Sequence, residues 1–234
     1  ATMGHMSPES IHLMVEAKKL AFADRNRHLA DPRIEKVPVE VLASKEFAAH
    51  RRESIDLEKA TEQVTAADLL PQGTDTSYFC VADQEGNTVS FIHSIYAAWG
   101  SAFMAGNTGI LFNNRQRGFR LEEGHPNTMA PGKRPMHTLN AYTVLREGNP
   151  FIVGGTPGAD FQVQGNTQMI TGIIDFEVPL QSLVDGPRWY STPGSDPPTI
   201  DEPYALLIEP WMPTEIVKDL QRYGHKVIVE ESGA

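Results

Sequence analysis

Three groups of residues in this chain have types and spacings that could do chemistry. They are Thr76, at the head of two β-rich runs; the run Gly154-Gly155-Thr156-Pro157-Gly158-Ala159; and the cation-bearing segments Asn113-Asn114-Arg115 and His137-Thr138. A threonine hydroxyl is a poor nucleophile until a base takes its proton. A threonine at a chain N-terminus can use its own α-amino group, whose reference pKa of about 7.7–8.0 suits a general base. A glycine-rich turn lets backbone N–H groups approach a developing oxyanion closely. The planar fork of Arg115 can grip a carboxylate at two points. Each group also has a plainer reading. Thr76 is a strand-edge threonine by propensity, the glycine run a structural turn, Arg115 a solvated loop side chain and Asn114 a turn residue. The glycine run lacks the Lys-Ser/Thr ending of a phosphate-binding loop, and the eight histidines show no His-x-x-x-His or paired-cysteine spacing, so neither a cofactor nor a metal is expected.

The elements that must position these residues follow from pattern. Ser7-Pro8-Glu9 reads as an N-cap, a first-turn proline and a dipole-matched acid; Ile11, Met14, Val15 and Phe22 then mark one helical face, ending before Asp31-Pro32. A second helix is expected over about 44–52, and the polar stretch from Glu53 to Thr74 as a surface connection. Tyr78 to Ala82 and Thr88 to Ile92, separated by Asp83-Gln84-Glu85-Gly86-Asn87, predict a hairpin directly after Thr76. Gly109 to Phe112, Ala141 to Leu145 and Pro150 to Val153 are further strand candidates, the last two joined at Glu147-Gly148-Asn149. A helix is expected over 160–176 despite Gly165 and Gly172, another over 213–223, and a strand over 226–229. Strands in mid-chain flanked by helices predict a layered sheet-and-helix protein.

Bulk properties exclude several classes. With 234 residues, 40% of them hydrophobic, the chain can bury one sizeable core. The excess of 30 acidic over 20 basic residues, net −10, argues against nucleic acid and for small-molecule partners. Cys80 is the single cysteine and reads as a small buried strand residue. No apolar run approaches the ~20 residues that span a bilayer, and residues 1–8 lack the apolar stretch of a signal peptide.

Four separated motifs carry a resemblance. Thr76-Ser77-Tyr78-Phe79-Cys80-Val81-Ala82-Asp83 followed by Gly86 to Ser90 resembles the start of the small subunit of γ-glutamyltranspeptidases. Gly109 to Asn114, Pro131-Gly132-Lys133-Arg134-Pro135 and Gly154 to Gly158 follow in the family's order and at similar spacing. Upstream, Ile11 to Pro32, with Phe22-Ala23-Asp24-Arg25, resembles the end of the large subunit. The resemblance implies an α+β fold, the αββα four-layer sandwich of N-terminal nucleophile hydrolases, incomplete here. It also divides the chain into 1–75, the C-terminal part of the large-subunit region, and 76–234, the small-subunit catalytic region, together one structural domain. The rest of the large subunit is then a partner. It further implies autocatalytic cleavage between Asp75 and Thr76, with Thr76 forming an acyl-enzyme that water or an amine resolves. The N–H groups of Gly158 and Ala159 would form the oxyanion hole, Ser94 would support the nucleophile, and Asn114 would frame the site.

Where true γ-glutamyl enzymes place an asparagine, a glutamine, an aspartate and two serines around the glutamyl group, this chain has Tyr96, Arg115, Gly118 and His137-Thr138. Loss of the aspartate removes the partner of a substrate ammonium, and Arg115 would repel one. A carboxylate-bearing acyl group without an α-amine, such as a dicarboxylic monoamide, fits better. Asn-Asn-Arg and Lys-Arg-Pro-Met-His-Thr also look more like the branch with oxamate amidohydrolase and cephalosporin acylase-like proteins. The segment from Phe119 to Pro131 is short for a lid and predicts an open pocket, in which Arg120, Glu122, Glu123, His125 and Asn127 are either substrate contacts or simply solvated. Two alternatives stay open: true γ-glutamyl transfer or glutathione hydrolysis, and an unprocessed, non-catalytic binding protein. The compartment stays open as well.

Overall fold

The computed structural model describes residues 3–62, 74–195, 200 and 202–230. The chain opens with helix α1, Pro8–His28, started by the Ser7 hydroxyl, which accepts from the Ser10 N–H, and by a proline in the first turn. Glu9 lies in its first turn and Arg25, Arg27 and His28 in its last, all matching the helix dipole. A short α2, Val39–Leu42, leads to α3, Lys45–Arg52, which is capped by Ser44 and tied to α1 by the Arg51–Asp24 ion pair at 2.8 Å. Half of the stretch expected as a surface connection, residues 63–73, lies outside the described residues.

Strands β1, Thr74–Ala82, and β2, Thr88–Ala97, form the expected antiparallel hairpin. At its turn the Asp83 carboxylate accepts from the Asn87 N–H at 2.8 Å. Period-two alternation turns Thr76 and Tyr78 to one face and Phe79 and Val81 to the exposed other, where Phe79 stacks on Phe91 at 4.9 Å. Cys80 lies in β1 as expected but is exposed rather than buried, because this edge of the hairpin has no covering element among the described residues. Gly109 to Phe112 is not a strand: Leu111 makes only an isolated bridge to Met104, and positive φ at Gly106 and Gly109 keeps turning the chain. A single 3-10 turn, Arg115–Gly118, follows.

Strands β3, Tyr142–Arg146, and β4, Asn149–Gly154, form a second hairpin whose turn residues Glu147 and Gly148 both have positive φ. Helix α4, Phe161–Ile174, runs unbroken through Gly165 and Gly172; a Cβ on Gly165 would fall 2.7 Å from the Phe161 ring, so the glycine is needed for packing. Then come α5, Leu180–Asp185, β5, Trp189–Thr192, β6, Ala205–Ile208, α6, Thr214–Arg222, and β7, Val227–Val229. Strand β6 pairs antiparallel with β5 and parallel with β7. The described strands thus make sheets of two, two and three strands.

The core lies where α1 and α6 cover the three-stranded sheet: Ile11, Val15, Trp189, Leu206, Ile208, Met212 and Leu220 are buried together. Each of the larger aliphatic side chains there contributes about 1.5–3 kcal/mol by leaving water. Helix α4 docks differently. Its Gln162, Gln164, Asn166 and Gln168 are all buried. Gln164 gives its amide N–H to the Ser191 carbonyl at 3.1 Å and takes the Ser191 N–H at 2.8 Å; Gln168 does the same with Trp189 at 2.9 and 3.3 Å. Four helical residues rise about 6 Å and two strand residues about 6.8 Å, so glutamines at i and i+4 match a strand's i and i+2. The helix completes the open edge of β5 with side-chain amides.

Candidate active site

Thr76 sits at a defect in its ladder. Cα pairing runs regularly from Ala82 opposite Thr88 to Thr76 opposite Ser94, then shifts so that Asp75 faces Tyr96, leaving Ile95 as the extra residue. Such bulges re-aim side chains. Here the Thr76 Oγ1 hydroxyl donates to Ser94 Oγ at 3.0 Å, and Ser94 Oγ also accepts the Tyr96 N–H at 2.9 Å. Tyr96 takes φ 79°, an uncommon region for a tyrosine. Asn114 braces the bend: its Oδ1 accepts the Ala97 N–H at 3.1 Å and its own N–H donates to the Ile95 carbonyl. Its side chain is therefore engaged with backbone.

The Tyr96 ring lies under the Arg115 guanidinium, 5.2 Å from centroid to Cζ. Tyr96, Arg115, Gly118, Met136, His137, Thr138 and Ser195 line a cavity of about 10 Å³, barely room for one water. The open pocket expected from the short 119–131 segment is not seen at this place, because Phe119 is buried and Asn127 donates to the Gly118 carbonyl at 2.7 Å. His125 likewise bonds the Asn26 carbonyl, at 2.9 Å, so these two polar residues are structural. Desolvation lowers the pKa of Arg115, and desolvation with the nearby Arg115 and Arg134 guanidiniums lowers that of His137. His137 thus favours its neutral form, which can donate or accept.

The glycine turn enters beside the same strand face as Thr76. Ser90 Oγ donates to the Gly154 carbonyl and exchanges a hydrogen bond with the Tyr78 hydroxyl, both at 3.0 Å. A Cβ on Gly155 would fall 2.5 Å from the Tyr78 ring, so only glycine fits. Gly158 has φ 119° and Ala159 φ 48°, and among the described residues neither N–H donates to a protein acceptor. Two adjacent, unspent backbone donors at a helix start are what an oxyanion requires.

The Pro131 to Pro135 segment is held by residues just past α1. Asp31 accepts from Arg33 and from the Arg134 N–H, at 2.9 Å for the latter, and the Arg33 and Arg134 contacts hold its carboxyl well below the usual range. Lys133 pairs with Glu35 at 2.7 Å. Sequence reasoning missed a second polar cluster, His12, Glu16 and His225, all buried with ligand atoms within 4.8 Å of one another. The signal was a His-x-x-x-Glu spacing on α1. His12 Nε2 faces the Asp56 carbonyl at 2.8 Å, which can only accept, so that nitrogen carries the proton and Nδ1 accepts from His225 Nε2 at 2.8 Å. Glu16 is engaged by the Lys19 ammonium at 2.6 Å and the Thr61 N–H at 3.2 Å. The pairs a metal would need are committed, and a buried ammonium stands beside them; the cluster is a hydrogen-bonded network.

Residues 1–234, the full extent of the chain, match the γ-glutamyltranspeptidase family. The chain belongs to that family. It is 38% identical over 227 residues to a glutathione hydrolase-like proenzyme, YwrD, of Bacillus subtilis, covering 96% of this chain and 41% of the relative. It is 37% identical over 186 residues to the oxamate amidohydrolase proenzyme of Klebsiella pneumoniae, covering 77% and 34%. Among solved structures, cephalosporin acylase from Bacillus halodurans superposes with a TM-score of 0.82 at 35% identity, over 96% of this chain and 39% of that one. The chain therefore spans about two fifths of the length of these γ-glutamyltranspeptidase relatives. Glutathione hydrolase-like, oxamate amidohydrolase and cephalosporin acylase proteins all stand among its close homologues, as its motifs imply. No helix among the described residues is long and apolar enough to cross a membrane.

Proposed function

We propose that this chain is the catalytic part of a γ-glutamyltransferase-like amidohydrolase that cuts its own Asp75–Thr76 bond and then works through Thr76. The observation that carries the reading is the Thr76–Ser94 hydroxyl pair at the β-bulge, 3.0 Å apart. In the uncut chain the Thr76 nitrogen is an amide and no base. Attack of Oγ1 on the Asp75 carbonyl carbon forms an ester as the C–N bond breaks; water then hydrolyses the ester, leaving Asp75 as a carboxylate and Thr76 with a free amine. That amine can take the Oγ1 proton when Oγ1 attacks a substrate amide, and pass it to the leaving nitrogen. The Gly158 and Ala159 N–H groups would receive the oxyanion, and water or an acceptor amine would release the acyl group. The fold would be the αββα sandwich, with residues 1–75 ending the large-subunit region and 76–234 beginning the small one, completed by the remainder of the large subunit.

For the acyl group, Arg115, His137, Thr138 and Tyr96 favour a carboxylate without an α-amine. Support comes from the Arg115 guanidinium, the one cation among the described residues lining the small space they share, which would repel an ammonium, and from likeness to an oxamate amidohydrolase. Intact-mass spectrometry of the purified protein in its full natural length tests the reading. Two fragments meeting between Asp75 and Thr76 are expected. A single folded, uncut chain would point instead to a non-catalytic binding protein.

A further inference from the structure

Asp160 has no part in the chemistry described so far, yet it is a buried carboxylate engaged at both oxygens next to the glycine turn. It is 5% exposed and immediately follows Ala159. Its Oδ1 accepts from Arg25 Nη2 of α1 at 2.7 Å and from the Ser195 hydroxyl at 2.8 Å; its Oδ2 accepts the Ser195 N–H at 2.7 Å. Gly194 lies so close that any Cβ there would overlap Oδ2. The same segment is held once more by the buried Lys18 ammonium, which donates to the Pro193 carbonyl at 2.6 Å. Ser195 in turn walls the cavity of Tyr96, Arg115, His137 and Thr138. One carboxylate therefore joins three parts: the turn bearing the two unspent N–H groups, the wall of the acyl cavity, and helix α1.

Ala159 explains why such an anchor is needed. A non-glycine residue at φ 48° persists only where its surroundings over-determine it. On one side it is flanked by Gly158, the most permissive of residues, and on the other by Asp160, whose side chain is fixed at both oxygens. Release of the carboxylate would let Ala159 relax, and its N–H would rotate away from the place where charge develops.

We propose that Asp160 is a positioning residue: it acts through Ala159 and Ser195 to hold the oxyanion donors in register with the acyl cavity. This rests on the reading of Thr76 as nucleophile. The test uses the full-length protein, a panel of oxamate, succinamate and a γ-glutamyl anilide, and an alkylboronic acid, which forms a tetrahedral anion on a threonine hydroxyl. Asp160→Asn should lower kcat about 10- to 100-fold with KM changed less than about threefold, and weaken the boronic acid about tenfold at an unchanged number of titrated sites. A merely structural role would lower the number of sites and leave kcat per site and boronate affinity alone; that result overturns the inference while leaving Thr76 as nucleophile. If Asp160→Asn does not fold, Ser195→Ala, which keeps the Arg25 pair, carries the test. A kcat loss of about three- to tenfold is expected of it, and an unchanged kcat overturns the inference. A wild type that stays uncut, turns over none of the panel and binds no boronic acid removes the reading of Thr76 itself, and the inference falls with it.

Discussion

Gln164 and Ser191 exchange two hydrogen bonds, side-chain amide to backbone, at 3.1 and 2.8 Å in the protein interior. The pair fixes the height of α4 along β5, and so both the turn at Gly158 and Ala159, at the start of the helix, and Ser195, just past the strand. Gln164→Leu keeps the volume and leaves a buried N–H and a buried C=O unpaired, at roughly 1–3 kcal/mol each. Thermal unfolding should drop by roughly 4–12 °C. A loss under about 1 °C would mean that α4 is held by its apolar contacts alone.

Thr76 and Ser94 share one hydrogen bond, and the two substitutions separate their duties. Thr76→Ala should remain a folded, uncut and inactive chain. Ser94→Ala should still cut itself, but about 10- to 100-fold more slowly, with Ser94→Thr restoring most of the rate. A time course of intact mass after purification reads all three. Equal rates for Ser94→Ala and wild type would show that the 3.0 Å contact does nothing for the nucleophile.

Much of this was legible because local physics and tertiary context agree. The Ser7-Pro8 cap, the Asp83 to Asn87 turn and the period-two runs around it each determine their own element, and α1, β1 and β2 lie where pattern puts them. Residues 109–112 read as a strand but turn at Gly109, since β-rich side chains cannot make a strand without a partner edge. Strands β5 and β6 are only four residues each, too short for a period to show. Thr76, Ser94 and the glycine turn were singled out through motifs. Asp160 was not, because its significance lies in contacts with Arg25 and Ser195, remote in sequence. The His12–His225 pair, one residue from each end of the chain, was hidden for the same reason.

Arg115 should act in binding more than in chemistry. Its guanidinium stands over the Tyr96 ring in the cavity with His137. Arg115→Met removes the charge and keeps much of the stem. For a carboxylate-bearing amide KM should rise about tenfold or more with kcat nearly unchanged, while an uncharged amide of equal size should gain or stay level. A uniform loss across both substrates would place Arg115 in the architecture of the site and remove the argument for an anionic acyl group.

Acid should loosen the protein through His225. Burial, with Lys19 and His12 adding to it, pushes this imidazole down to about 4 from an ordinary 6.5. Glu16 opposes the shift, and Lys19 and Glu16 both come from α1, with Lys226 next in sequence on the other side. Between these two values the unfolded chain binds a proton that the folded one refuses, so stability falls as pH drops from about 6.5 to about 4 and is level in this respect above and below. The linked loss is on the order of 2 kcal/mol after allowance for relaxation around the ring. His225→Gln keeps a donor toward His12 Nδ1 and cannot titrate. Urea unfolding of both proteins at pH 7.5, 5.5 and 4.2, values that run from above the window to near its lower end, should show the wild type losing about 2 kcal/mol more than the variant over that range. Parallel curves would mean that the His12–His225 contact survives protonation, and that the buried pair carries a charge the network can absorb.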